Sequence, residues 1–291
     1  MSSRLDRVYA QLLRDHPYGW ALYKKVTAQK LHPGSCGYFD SDGDWQTLID
    51  LTNLHNVADR GWTIPSDEIQ DSGEPESMIW GPKNSDSVRS CHVGGKVGAT
   101  VVGAPVVASV AMSFESTGDK GAVLATESPV LRHQIGDESS ALQWMAENTA
   151  EMLRRHGSVV KKHGVWVVTK TYSTRRSAVA VMTQRSSKVE IGLGADIQGL
   201  LTLSPESSWT SSTGSSSMEL HEDDDGVVVF ISGMYFSKKL ARSRLSYVRD
   251  QQDQKDKILR GDDPEDTWDS ENENIELDVE YYPPLDEDKF D

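Results

Sequence analysis

Cysteine is almost missing: Cys36 and Cys91 are the only two in 291 residues. They form no CxxC pair and fall far below the density of a secreted disulfide scaffold, so free thiols in a reducing compartment are expected. Long apolar runs are also missing. No stretch reaches the roughly 18 residues that a membrane helix needs, and Met1 to Arg7 has no signal-peptide core. Both absences predict a cytoplasmic chain without a helical span, but they leave open strands that cross a bilayer on a weaker alternating pattern. The eight histidines are scattered. Even the closest pair, His156 and His163, has no cysteine or carboxylate at ligand spacing, so no metal centre is expected. No G-x-S-x-G elbow, P-loop, dinucleotide fingerprint or H-E-x-x-H motif occurs. Gly192-Leu-Gly194 starts like a nucleotide loop but lacks the third glycine and precedes no helix. Neither an enzyme nor a cofactor is therefore expected, although a triad assembled from distant residues would leave no such trace.

Positive charge is also in deficit, since the net charge is −15. The imbalance is local: residues 242–291 hold 7 Lys or Arg against 17 Asp or Glu, and the remainder holds 23 against 28. This division predicts a body over residues 1–240 and an acidic C-terminal tail over 241–291, low in aliphatics, broken by Pro264, Pro283 and Pro284, and partly disordered or loosely docked. An acidic chain of this kind is not expected to bind nucleic acid. With 37% hydrophobic residues the body has material for a core.

Leu5, Val8, Tyr9, Leu12 and Leu13 recur at helical spacing, which predicts a helix from Arg4 towards Lys25, interrupted at Pro17 and resuming over Tyr18 to Val26. This first segment is basic, with Arg4, Arg7, Arg14, Lys24, Lys25 and Lys30 against Asp6 and Asp15. Gly37 to Leu51 places two apolar runs around an Asp-Gly turn and reads as a β-hairpin. Asp40, Asp42 and Asp44 begin like a calcium loop, but Trp45 and Leu51 occupy the positions where that loop needs glycine and glutamate, which leaves a solvated turn. Residues 53–84 read as a long surface connection anchored by Trp62 and Trp80.

Val88 to Glu115 alternates with a period of two, through Cys91, Val93, Val97, Ala99 and Val101, then through Ala104, Val106, Ala108, Val110, Met112 and Phe114. Two long glycine-spaced strands joined near Gly103 are predicted. Ser139 to Arg155 carries a helical apolar face, capped by serine and stopped by Gly157. Val165 to Tyr172 and Ala178 to Thr183 read as two core strands. Lys188 to Ile197 shows the cleanest alternation, with Val189, Ile191 and Leu193 on one side. Ser207 to Ser217 reads as a loop, and Val227 to Ile231 as a last buried strand. The fold class is therefore α+β, a twisted antiparallel β-sheet with packed helices.

This order of elements resembles the pore-forming N-terminal domain of the gasdermin family. The likeness is carried by Leu31-His-Pro-Gly-Ser-Cys-Gly-Tyr-Phe-Asp40 with Leu48-Ile-Asp-Leu51, by Val159 to Lys170, and by Val227 to Phe236. With a short tail in place of a large helical C-terminal domain, the chain is similar to the short fungal members that act in regulated, pyroptosis-like cell death. The resemblance implies a protein that is cytoplasmic and autoinhibited at rest. When active it binds acidic phospholipids at the plasma membrane or another acidic membrane, and it oligomerises with copies of itself into a β-barrel pore. An activating protease or a related gasdermin-like partner would trigger it, and the window for a cut is the stretch around Leu240, Leu245 and Tyr247. The alternative is a recognition module of allorecognition (heterokaryon incompatibility) that binds without forming a pore.

Membrane-crossing strands need about 9 to 11 residues with alternate apolar side chains. Val93, Val97, Val101, Val106, Val110 and Met112, with Val189, Ile191 and Leu193, are the candidates to insert. An open sheet edge cannot persist in lipid, so insertion requires a closed ring of subunits. The same alternation also fits a half-buried sheet with one wet face. Candidate lipid contacts are Arg4, Arg7, Arg14, Lys24, Lys25, Arg154, Arg155, Lys161, Lys162, Arg175 and Arg176, each contributing about 1 kcal/mol near an anionic leaflet.

Overall fold

A computed structural model describes residues 4–65, 67, 69–70, 73–96, 109–195, 201–205, 207–238 and 277–284. Helix α1 (Leu5–Leu12) buries Val8, Tyr9 and Ala10 and leaves Arg7 and Gln11 exposed. It ends at Leu12, five positions ahead of Pro17, and the Leu13 amide returns to the Tyr9 carbonyl. The helix expected to resume over Tyr18 to Val26 is instead β1 (Trp20–Ala21) and an extended segment. Leu22 donates to the Val229 carbonyl and Val228 to the Val26 carbonyl, so ladder pairing with a neighbouring strand overrides a weak helical period.

β2 (Ser35–Phe39) and β3 (Trp45–Asp50) form the expected hairpin. Its turn closes on Asp40, whose Oδ1 accepts from the Asp42 and Asp44 amides at 2.9 and 3.0 Å. α2 (Leu54–Asp59) starts at Asn53, whose side chain accepts from the Asn56 amide. Trp62 and Trp80 are buried as anchors. Short strands β4 (Glu76–Met78) and β5 (Lys83–Asn84) lead into β6 (Val88–Lys96), β7 (Ser109–Ser116), β8 (Gly121–Thr126) and β9 (Val130–Gln134).

α3 (Glu138–His163) differs from expectation at both ends. The cap is Asp137, which accepts from the Ser139 amide at 2.8 Å, and Gly157 does not stop the helix. The axis kinks at His156 (φ −128°, ψ 22°) and runs on for two more turns to Gly164. Gly164 adopts φ +69°, and a Cβ there would lie 2.3 Å from the Tyr235 ring.

β10 (Val165–Met182) is one strand of 18 residues where two short ones were expected. Irregularities at 168–170, 172–173 and 174–176 absorb its twist. β11 (Lys188–Ala195), β12 (Leu201–Thr202) and β13 (Trp209–Thr213) follow. The Ser/Thr stretch expected as a loop is β13 and the start of β14 (Ser216–Lys238), because backbone pairing to β11 and β10 suits small polar side chains on a wet edge. β14 has 23 residues, far more than Val227 to Ile231. Its acidic run survives inside a strand because Arg176, Lys25 and Arg175 pair with Glu222, Asp223 and Asp224. β15 (Leu277–Tyr282) belongs to the tail yet pairs antiparallel with Gly233–Lys238, so this part of the tail is docked as a strand.

The larger sheet runs β1-β14-β10-β2-β3, with β15 on β14, β8 and β9 on β10, β5 on β8, and β4 on β9. The second sheet runs β12-β11-β7-β6, with β13 on β11. Alternation along the far half of β10 divides the packing. Val179 and Val181 join the cluster under α1, whereas Ala178, Ala180 and Met182 meet the second sheet. At the near half, Val165 and Val167 face α3 through Trp144, Met145 and Met152.

In the second sheet Val189, Ile191 and Leu193 are fully buried together with Phe114 and Met112. Cys91, at the head of the expected apolar series, is exposed, which corrects that expectation: it lies opposite Ser113, out of phase with Met112 and Phe114. The pairing shifts between Val93 and Gly95, which sets Gly95 opposite Val110. Val97, Val101, Val106, Leu240, Leu245 and Tyr247 lie outside the described residues.

Gly164→Ala is expected to lower unfolding stability by about 2 kcal/mol or more, since a left-handed residue acquires a Cβ that collides with a packed ring. Urea unfolding of the two proteins measures this, and a loss below about 0.5 kcal/mol would refute the geometry.

Candidate functional site

The basic residues fall into local groups set by their carboxylate partners. On the α1 side, Arg4 binds Asp6 at 2.6 Å, Arg14 stands 3.6 Å from Asp15, and Lys24 meets Asp44 of the hairpin turn at 3.1 Å. A second group lies along β14: Arg175 and Arg176 of β10 pair with Asp224 at 2.9 Å and Glu222 at 2.5 Å, and Lys25 of the segment after β1 pairs with Asp223 at 2.9 Å. A third lies at the α3 kink. Arg154 and Arg155 both bind Glu151, and Arg155 also donates to the Arg60 and Gly61 carbonyls and covers the Trp62 ring at 4.6 Å. Lys161 and Lys162 are exposed in the last turn of α3, where cations complement the helix dipole.

Between α1, the hairpin and the edge of the larger sheet lies a cleft of about 220 Å³. Arg4, Arg7 and Lys24 line it beside Trp20, Phe39, Trp166, Tyr235, Tyr282 and His163. Tyr282 comes from the tail and packs edge-on against Trp20 at 5.5 Å and tilted against Trp166 at 4.9 Å. Next to it, Tyr38, Asp40, Ser41, Asp42, Ser158, Lys162 and His163 line an open cleft of about 350 Å³.

His163 stands between the two clefts. Its carbonyl accepts from the Tyr235 hydroxyl at 2.9 Å, while its Nδ1 is buried without a partner. Burial lowers its pKa first, and the charges of Lys162, Arg4 and Arg7 lower it further against the opposing Asp40. Arg4 and Arg7 line one of the clefts that His163 borders and Lys162 lines the other, which makes them one cationic neighbourhood drawn from residues more than 150 positions apart in sequence. Partial burial raises the Asp40 carboxyl, but hydrogen bonds from Asp44, Gln46 and Asp42 and the charge of Lys24 outweigh it and hold it below the ordinary value.

Sequence reasoning selected the cations and missed their acidic partners Asp6, Asp44, Glu151 and Glu222, and it missed Tyr282 as part of the cleft. The i, i+3 and i, i+4 spacings of Glu151 to Arg154 and Arg155 were readable. The cross-strand partners were not.

Among the described residues no group of His, Cys, Asp or Glu is placed to hold a metal ion, and no helix is long and apolar enough to cross a membrane. The described chain is thus an α+β protein of two curled antiparallel sheets with cationic patches at its helix ends. No protein-family model matches it, and no curated protein matches it. Among solved structures it is similar to the gasdermin A3 membrane pore determined by cryo-EM, at 10% identity and a TM-score of 0.28, over 81% of this chain and 90% of that one.

Because His163 has a lowered pKa in the fold, the folded state resists protonation. Its contribution to stability is complete above the unfolded value of about 6.5 and is lost as pH falls through the folded value. His16 and His156, also lowered chiefly by burial, act with the same sign. The melting temperature is expected to fall from about pH 7 to about pH 5, and less so in His163→Gln. Equal falls in the two proteins would remove His163 from the account.

Proposed function

We propose that this chain is a gasdermin-like pore former, of the short fungal type, that acts without enzymatic chemistry in regulated cell death. The observation that carries the reading is the second sheet. Its strands alternate, and their apolar side chains are buried on the larger sheet through a single cluster in which β10 presents only Ala178, Ala180 and Met182. Apolar burial contributes about 25 cal/mol per Å², so alanine contacts hold this sheet less firmly than leucines would. Released, the same strands have the period that faces lipid on one side and a pore lumen on the other. Unpaired edges in lipid would then require many copies to close a ring.

Attraction to acidic phospholipids falls to the cations of the helix ends, Arg4, Arg7 and Lys162 foremost. The ion pairs of the resting fold do not oppose this strongly. An exposed pair contributes at most about 1 kcal/mol in general, and a cation beside an anionic leaflet about the same, so exchange of partners is nearly balanced. The tail restrains the body in this reading: β15 occupies an edge of β14, and its Tyr282 forms part of the wall of the cleft against which α1 lies. A protease cut or a gasdermin-like partner that frees β15 would start the transition from a resting state in the cytoplasm to the membrane.

Phosphatidylserine vesicles loaded with a dye test the proposal. A chain ending at Leu240 is expected to release the dye faster than the full chain. Binding without leakage would assign the protein to recognition in heterokaryon incompatibility instead, and neither binding nor leakage from either form would end the reading. A lock tests the sheet movement. The Thr202 hydroxyl is 3.3 Å from that of Ser128, which bridges β12 of the second sheet to the larger one. Ser128→Cys/Thr202→Cys is expected to be silent when oxidised and active when reduced, and leakage from the oxidised form would show that the sheets need not part.

A further inference from the structure

The turn of the hairpin bears an exposed hydroxyl in an unusual setting. Ser41 is followed by Asp42 and Asp44, acidic at the next and the third positions, which is the context that acidophilic protein kinases read. Ser116, followed by an aspartate at the same third position, is 1% exposed and out of reach. Ser41 itself is exposed, at the tip of a tight turn.

Its surroundings give a phosphate there something to act on. Ser41 shares its open cleft with Ser158 and Lys162 at the basic end of α3. The acidic neighbours do not fill that role. Asp40 is committed to the turn, with Oδ1 on the Asp42 and Asp44 amides and Oδ2 on Gln46. Asp44 is held by Lys24. The turn also rests directly on α1, because a Cβ at Gly43 would stand 2.8 Å from the Asp6 carboxylate, itself the partner of Arg4. A charge placed at Ser41 is therefore felt on both helices.

We propose that Ser41 is a phosphorylation site for an acidophilic protein kinase, and that its phosphate, set across the cleft from Lys162, cancels the positive field of Arg4, Arg7 and Lys162. The Ser41 Oγ forms a bond to the γ-phosphorus of ATP and the bond to the bridging oxygen breaks. ADP leaves, and the hydroxyl proton passes to the kinase's base. The product adds about −1.5 to −2 charges and three acceptor oxygens. Repulsion from Asp42 on one side and attraction to Lys162 on the other direct it towards α3, tying hairpin to helix end. The effect on membranes rests on the proposed function, as an electrostatic off-switch for the same cations. The modification itself does not.

The test takes the full chain, an acidophilic kinase and ATP with magnesium. Peptide mapping should find a phosphate on Ser41 that is absent from Ser41→Ala. The melting temperature should rise on phosphorylation, and the rise should vanish in Lys162→Ala. Co-sedimentation with phosphatidylserine vesicles should weaken about tenfold at low salt, as it should in Arg7→Glu/Lys162→Glu. No phosphate on Ser41, or a thermal shift indifferent to Lys162, overturns the proposal. A phosphoprotein that sediments like the unmodified one, while Arg7→Glu/Lys162→Glu does not sediment, overturns the switch. If neither the unmodified full chain nor the chain ending at Leu240 binds the vesicles, the pore reading has failed, and the phosphate map with the Lys162-dependent shift still decides the site.

Discussion

The pairing of β10 with β14 is the constraint on which the rest of the structure hangs. From Val165 opposite Phe236 to Met182 opposite Ser216 the two strands run together through three irregularities, and every other layer packs on one of their faces or one of their edges. Because side chains alternate, a single strand must satisfy several neighbours. Val165 and Val167 belong to α3, Val179 and Val181 to α1, and Ala178, Ala180 and Met182 to the second sheet. The irregularities fall between the half of β10 that packs on α3 and the half that packs on α1 and the second sheet, and within that far half plain alternation separates the last two.

The edge of β14 that faces away from β10 is divided between the two ends of the chain. β1 pairs with Phe230 and Ile231, and β15 takes Gly233 to Lys238 immediately beyond. Trp20 from one and Tyr282 from the other meet over Trp166. The N-terminal helix, which bears the first cations, and the acidic tail are thereby coupled through a shared edge and a shared aromatic cluster. Displacing β15 exposes unpaired backbone on β14 and removes an aromatic wall from the cleft under α1.

What was legible in the sequence follows from how locally each feature is determined. The hairpin over 35–50 was readable because its turn residues and its two apolar runs lie side by side. The burial of Val189, Ile191 and Leu193 was readable because strict alternation has one physical meaning, a face. The length of β10 and β14 was not. Arg175 with Arg176, and Glu222 through Asp224, look like strand breaks until Arg176 is seen opposite Glu222 and Arg175 beside Asp224, 46 and 49 positions away, with Lys25 on Asp223. Asp137 as the cap of α3 escaped notice because Ser139 is an equally good capping residue, and only backbone geometry separates them. The cationic neighbourhood around His163 needed α1 and α3 to be brought together by the sheet, which no spacing rule encodes.

The second sheet is where the fold departs from the usual reasons for stability. β11 has one apolar face in full, yet the wall it meets on β10 is mostly alanine, and glycine stands at 192 and 194 among its other positions. Gly192 and Gly194 add nothing to packing and lower the stability of the strand when it stands alone. Larger side chains on the β10 wall would bury more apolar surface in this interface, whereas Gly194 lies so near Ser204 that a Cβ there would stand 3.2 Å from the serine's own. Alanines on the larger sheet's side of the interface, and glycines on the opposite face of β11, keep the sheet folded while leaving its separation less costly. That is the energetic condition for a strand set that must be buried in one state and face hydrocarbon in another.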